Sequence, residues 1–153
     1  GSDFKVGNYD LRISVATVNL ESTVFTSLPG VNRILTVLEG NLKLTHEGHH
    51  EANLQPYRQD SFHGDWKTRS KGKVRDFNVM WKRGEASVKS ILLEESIDTT
   101  IEARHNISLL FVASGIVQIG EVNLVQNDAI LFEKNLILKT TEETNVLLVD
   151  YKN

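Results

Sequence analysis

The chain has 153 residues, 40% hydrophobic and 24% charged, with a formal net charge of −3 and no cysteine. That length supports one well-buried core, or two small halves sharing one, and the composition is that of a folded domain. Without cysteine there are no disulfides, thiolate nucleophiles or iron–sulfur ligands, net acidity argues against nucleic acid, and no apolar run approaches the roughly 20 residues of a membrane helix.

Valine, isoleucine and threonine together number 36 against six alanines, a balance that favours strands over helices. Alternating apolar segments follow in order: LRISVATV (11–18), RILTVLEG (33–40), NLKLT (41–45), DFNVMW (76–81), SLLFVA (108–113), IVQIG (116–120), AILFE (129–133), LILK (136–139) and VLLVDY (146–151). Many short strands separated by turn signals predict an all-β sandwich or barrel. EGHH and IGEVN read as hairpin tips, and 93–106 reads as a linker or short helix. With no secretory signal at its start, the sequence is expected to be cytoplasmic.

Charge is uneven. Residues 1–83 hold 12 basic and 9 acidic side chains, whereas residues 84–153 hold 5 and 11. Lys67, Arg69, Lys71, Lys73 and Arg75 all fall on odd positions, so an extended chain projects them from one side. A charged edge strand that discourages aggregation accounts for them; an anion-attracting rim or a partner-binding stripe is the functional alternative.

The halves repeat one pattern. LTVLEGNLKL followed by ANLQPYRQDSF is matched by LLFVASGIVQIGEVNLVQNDAILF: strand, glycine, hairpin, leucine-bearing strand, Asp-containing turn, apolar strand. LRISVATV, FTSLPGVNRILTVLEG, DSFHGDW and VRDFNVMWKRG together resemble the HutD/Ves family of bicupins, strongly over 10–84 and in layout over 107–150. The family's N-terminal segment, a Trp followed by paired glycines and a Thr, is not in this sequence. The resemblance implies an all-β bicupin, two jelly-roll halves packed in one chain, with residues 1–92 and 93–153 as the halves. It further implies a small-metabolite binder tied to histidine utilisation or stress response, with carboxylates such as urocanate, formylglutamate, glutamate or formate as candidate ligands. A small β protein with free sheet edges is also expected to form a homodimer.

Catalytic cupins bind metal through a His-x-His, a Glu and a further His. Aligning the motif's last glycine on Gly40 puts Arg33 at the Glu position and no histidine at either His position; aligning it on Gly115 puts Ser108 there. Arginine is a fixed cation, so no metal and no cofactor are expected at these positions. His46, His49 and His50, clustered with Glu47 and Glu51, read as a solvated hairpin tip, with adventitious zinc or nickel binding as the alternative, and His105 reads as a surface residue of the linker.

The ligand-binding expectation rests on two strands with polar residues on a face otherwise suited to packing. One strand carries Arg12 and Ser14, the other Asp76, Asn78 and Met80. If Arg12 and Arg33 converge, they form a bidentate clamp for a carboxylate. Asp76 and Asn78 then bind ligand donors or steady the arginines, and Met80 supplies an adaptable apolar wall. A buried ion pair between either arginine and Asp76 explains the same residues without a ligand. His63 and Asp65, in the SFHGDW stretch, complete the candidate set. They also carry the alternative reading, an enzyme that holds a carboxylate substrate by arginine and uses His63 or Asp65 as acid–base.

Overall fold

The computed structural model describes residues 10–104 and 106–153; His105, expected on the surface, lies outside them. The described residues form sixteen strands and no helix. β1 (Leu11–Val18), β2 (Ser22–Val24), β3 (Asn32–Gly40), β4 (Leu42–His46), β5 (Glu51–Leu54), β6 (Gln59–His63), β7 (Thr68–Lys71) and β8 (Val74–Trp81) make up a first unit ending at Arg83. β9 (Glu85–Leu93), β10 (Thr99–Ile101), β11 (Ile107–Ser114), β12 (Ile116–Ile119), β13 (Val122–Val125), β14 (Ala129–Phe132), β15 (Leu136–Leu138) and β16 (Thr144–Lys152) make up the second. The boundary expected between 92 and 93 falls instead between Arg83 and Gly84, because β9 pairs along its whole length with β16. The expected linker or helix over 93–106 is corrected likewise: β9 ends at Leu93, and β10 pairs with β15.

In the first unit, sheet β1-β8-β3-β6 packs against sheet β2-β7-β4-β5. Leu35, Val37, Phe62 and Val74 of one meet Leu42, Leu44 and Leu54 of the other in a shared core. The second unit repeats this order. β9-β16-β11-β14 form its four-stranded sheet, and β10-β15 joins β12-β13 through a bridge between Gln118 and Lys139. Among the described residues neither unit closes its sheets into one continuous hydrogen-bonded ring.

The repeat extends to backbone detail. The β3–β8 ladder slips register between Val37 and Glu39, and the β11–β16 ladder slips between Val112 and Ser114. Gly40 and Gly115 follow with φ of +87° and +88°. A Cβ on Gly40 would stand 2.4 Å from the Lys73 carbonyl oxygen, so space as well as conformation demands glycine there. Val37 exchanges backbone hydrogen bonds with Tyr57 and Arg58, as Val112 does with Asn127 and Asp128. Arg58 therefore corresponds to Asp128, and Asp60, read from sequence as the turn acid, is a strand residue corresponding to Ile130.

The basic stripe is also placed. Thr68 and Ser70 of β7 are buried, whereas Arg69 and Lys71 face outward. β7 is not an edge strand, since it lies between β2 and β4, and the stripe ends at Gly72. Lys67 meets Glu47 at 3.3 Å, Lys73 meets Glu21 at 3.6 Å, and Arg75 sits on β8 in the other sheet. Exposed pairs of this kind contribute little. Replacing Lys67, Arg69 or Lys71 by Gln should change unfolding free energy by no more than about 0.5 kcal/mol each in urea titrations. A larger loss would show that these side chains are not simply solvated.

Candidate functional site

The register of the first sheet sets the site. On the face toward β2-β7-β4-β5, Arg12, Met80, Arg33 and Phe62 lie in one row across β1, β8, β3 and β6. Ser14, Asn78, Leu35 and Asp60 form the next row, and Ala16, Asp76 and Val37 a third. Strand alternation sends the intervening residues, among them Phe77 and Val79, to the opposite face. The polar face of β8 is not a solvent face: Asp76, Asn78 and Met80 are all buried.

These rows floor a cavity of about 410 Å³ whose lining includes Arg12, Ser14, Arg33, Asp76, Asn78 and Met80, with Phe25, Thr26 and Leu28 from the segment after β2. Six of the eight expected site residues are thus brought together. His63 and Asp65 are not. His63 shares a row with Asn32, Trp81 and Leu11 on the opposite face, and both residues are exposed. Strand parity decides this, because Phe62, one residue earlier, is the one that turns inward.

Arg33 is the central group. Its guanidinium lies 5.0 Å from the ring centroids of both Phe25 and Phe62, a cation packed against a pair of aromatic rings whose own centroids are 6.2 Å apart. Its Nη2 donates to Asn78 Oδ1 at 3.2 Å, and Asn78 Nδ2 donates to Asp76 Oδ1. The amide therefore links the arginine to the buried acid and fixes its own orientation. Burial pushes the Asp76 carboxyl up to about 6, against smaller downward pulls from the Asn78 hydrogen bond and the Arg33 charge. Arg12 flanks Met80 from β1 as Arg33 does from β3, two strand spacings or about 10 Å apart along the backbone. The arrangement presents a positive, planar donor beside apolar walls, next to an acid that is readily neutral.

The second unit fills the corresponding rows. Val146, Leu148, Leu110 and Val112 occupy the positions of Asp76, Asn78, Leu35 and Val37, and all four belong to its hydrophobic core, with Ile91 and Ile130 packed against them. Ser108 stands where Arg33 does and donates to Asp150 at 2.7 Å. One architecture thus carries apolar core residues in these rows in one half and charged, cavity-lining residues in the other.

A second polar group was not anticipated. His46, read as part of a solvated tip, is buried: its Nε2 lies 2.7 Å from Asp60 Oδ2 and its Nδ1 2.7 Å from Thr68 Oγ1. His50 Nε2 reaches the same carboxylate at 2.9 Å. His49 and His50 are exposed as expected of a tip, with His49 stacked on Trp66 at a centroid distance of 3.8 Å.

Among known proteins, the sequence model of the HutD family matches residues 2–148. A conserved protein of unknown function from Pseudomonas aeruginosa PAO1 is similar in structure, with a TM-score of 0.82 and 25% identity over 100% of this chain and 84% of that one. HutD from Pseudomonas fluorescens SBW25, in a formate condition, gives a TM-score of 0.73 and 19% identity over 100% and 85%. A quercetin 2,3-dioxygenase from Acinetobacter baumannii, at 0.64 and 10% over 94% and 71%, shares the fold alone. Curated proteins yield no match. Together with a cupin 2 conserved barrel protein from Leptotrichia buccalis, at 0.60 and 11% over 94% and 84%, these neighbours make the fold cupin-like.

Proposed function

The chain belongs to the HutD family, and we propose that it is a binding protein for a small carboxylate, held by Arg33 in the first-unit cavity, with a regulatory part in histidine utilisation. The observation that carries this reading is the contrast between the repeats: rows that one half fills with valine and leucine, the other lines with Arg33, Asn78 and Asp76 around empty space. Burying charge and amide where an apolar core is available costs stability, so a use for them is required. A volume of about 410 Å³ suits a small metabolite. Arginine offers a carboxylate two parallel donors, and the phenylalanine rings keep the guanidinium from swinging away. Arg12 supplies a second positive charge at the same row.

Binding needs neither a nucleophile nor an acid–base pair. His63 and Asp65, the residues of the enzymatic alternative, do not line this cavity.

The test is a thermal-shift screen with formate, glutamate, formylglutamate and urocanate. A ligand at about 100 times its dissociation constant stabilises the native state by roughly 2.7 kcal/mol, on the order of 5–10 °C for a chain of this size. A melt that no carboxylate moves would sink the proposal.

A further inference from the structure

His46, His50 and Asp60 form a cluster outside the arginine cavity, and their donor atoms converge on one another. His46 closes β4, and His50 immediately precedes the return strand β5. The turn between them includes Gly48 at φ +78°, and His46 N donates to His50 O at 2.9 Å, so the hairpin sets the two imidazoles on one side with centroids 4.7 Å apart. Asp60 comes from β6. One nitrogen from each histidine and one oxygen of Asp60 all lie within 4.8 Å of one another.

Three features set this cluster apart from an ordinary surface group. The first is the setting of His46, whose side chain is 0% exposed. Thr68 Oγ1 donates toward the Trp66 carbonyl at 3.5 Å. Both ring nitrogens of the buried His46 are committed to oxygens, Nδ1 to Thr68 Oγ1 and Nε2 to the Asp60 carboxylate, each at 2.7 Å, so the imidazole is fixed with Nε2 aimed at the acid. The second feature is the Thr68 contact itself, since metal-bound histidines characteristically donate their other ring N–H to an oxygen that fixes the ring. The third is the repeat, which has no acid at this position of the other unit: Ile130 stands where Asp60 does.

We propose that His46 Nε2, His50 Nε2 and Asp60 bind a divalent transition ion of borderline softness, with zinc as the type. Two imidazoles and one carboxylate are a recurrent donor set for such ions, and they leave further coordination positions for water. The His50 side, 41% exposed, supplies the opening. This site is separate from the cupin motif positions, where Arg33 stands, so the sequence argument against a metal there does not reach it. The site does not depend on the carboxylate cavity.

The full chain, stripped with a chelator and dialysed, is titrated with zinc chloride by calorimetry, with magnesium chloride as the hard-cation control. The expected result is one equivalent of zinc bound at micromolar or lower dissociation constant and no magnesium uptake at the same concentrations. His50→Ala and Asp60→Asn should each weaken zinc at least tenfold, and Thr68→Val about tenfold through the orientation of His46. His49→Ala, which removes an exposed imidazole but no donor, should leave affinity unchanged. Circular dichroism of each variant confirms folding, and His46→Ala is avoided because His46 is buried. Absence of saturable zinc binding below about 100 µM, on the order of −5 to −6 kcal/mol, overturns the proposal. Binding that survives both His50→Ala and Asp60→Asn, or is lost equally in His49→Ala, overturns it in favour of adventitious capture by the tip.

Discussion

Arg33→Ala should abolish the stabilisation of this protein by any small carboxylate, turning a shift of about 5–10 °C at saturating ligand into none. Neither Asn78 nor Ser14 can replace a buried planar cation with two parallel donors. The same substitution removes a charge packed against two phenylalanine rings, and it orphans an amide whose other end is committed to Asp76. It should therefore also destabilise the ligand-free protein, by about 3 kcal/mol. Arg33→Met separates the two effects, because it keeps an unbranched aliphatic stem in the cavity wall while deleting the donors. Loss of the ligand shift in a well-folded Arg33→Met protein is the decisive outcome. Retention of the shift would place the anion elsewhere. Asn78→Ala should weaken binding by about 1–3 kcal/mol, acting through the set of the guanidinium.

Asp76 should make the protein less stable as pH rises from about 4 to 6.5. Its carboxyl titrates near 6 in the folded state against 3.8 in the open chain, so between those values the native state holds the extra proton. Unfolding free energy then falls with rising pH, and the full cost, about 3 kcal/mol, is in place above the folded value. Asp76→Asn keeps an acceptor for the Asn78 amide but cannot ionise. The stability difference between variant and wild type, from urea unfolding at several pH values, should grow in the variant's favour across this window and level off above it. A flat difference would mean that the acid is solvated or fully compensated. The same proton bears on binding: neutralising Asp76 removes a negative charge from the cavity lining, so affinity for a carboxylate should tighten several-fold between pH 7.5 and 5.5.

Much of this was readable from residue order alone, for reasons that differ by element. β1, β3, β8, β11 and β16 announce themselves because each alternates over eight or nine residues. β2 and β10, at three residues each, carry too little pattern to register, and β9 was obscured by Glu85, Ser87, Lys89 and Ser90, which leave its first six residues mostly polar. The cavity was legible because a period of two places Asp76, Asn78 and Met80 on one face whatever else happens. His63 misled because the reading took its chemistry and not its parity. His46 was missed for another reason: its burial comes from Phe62 and Trp66, which lie 4.5 and 5.6 Å from its ring but well along the chain. Histidines beside a glycine turn look solvated until those distant rings close over one of them.

The doubled architecture also makes the molecule its own control. Two interiors with the same strand order, bulges and turn pincers differ in whether their central rows are apolar or polar, so differences in backbone opening between them report the cost of the cavity. Amide hydrogens of β11 and β16, beneath the filled rows, should exchange with solvent more slowly than their counterparts in β3 and β8. Adding a bound carboxylate should slow β3 and β8 while leaving β11 and β16 as they were. In the free protein the size of that gap measures how much rigidity the first half gave up to keep a place for its ligand.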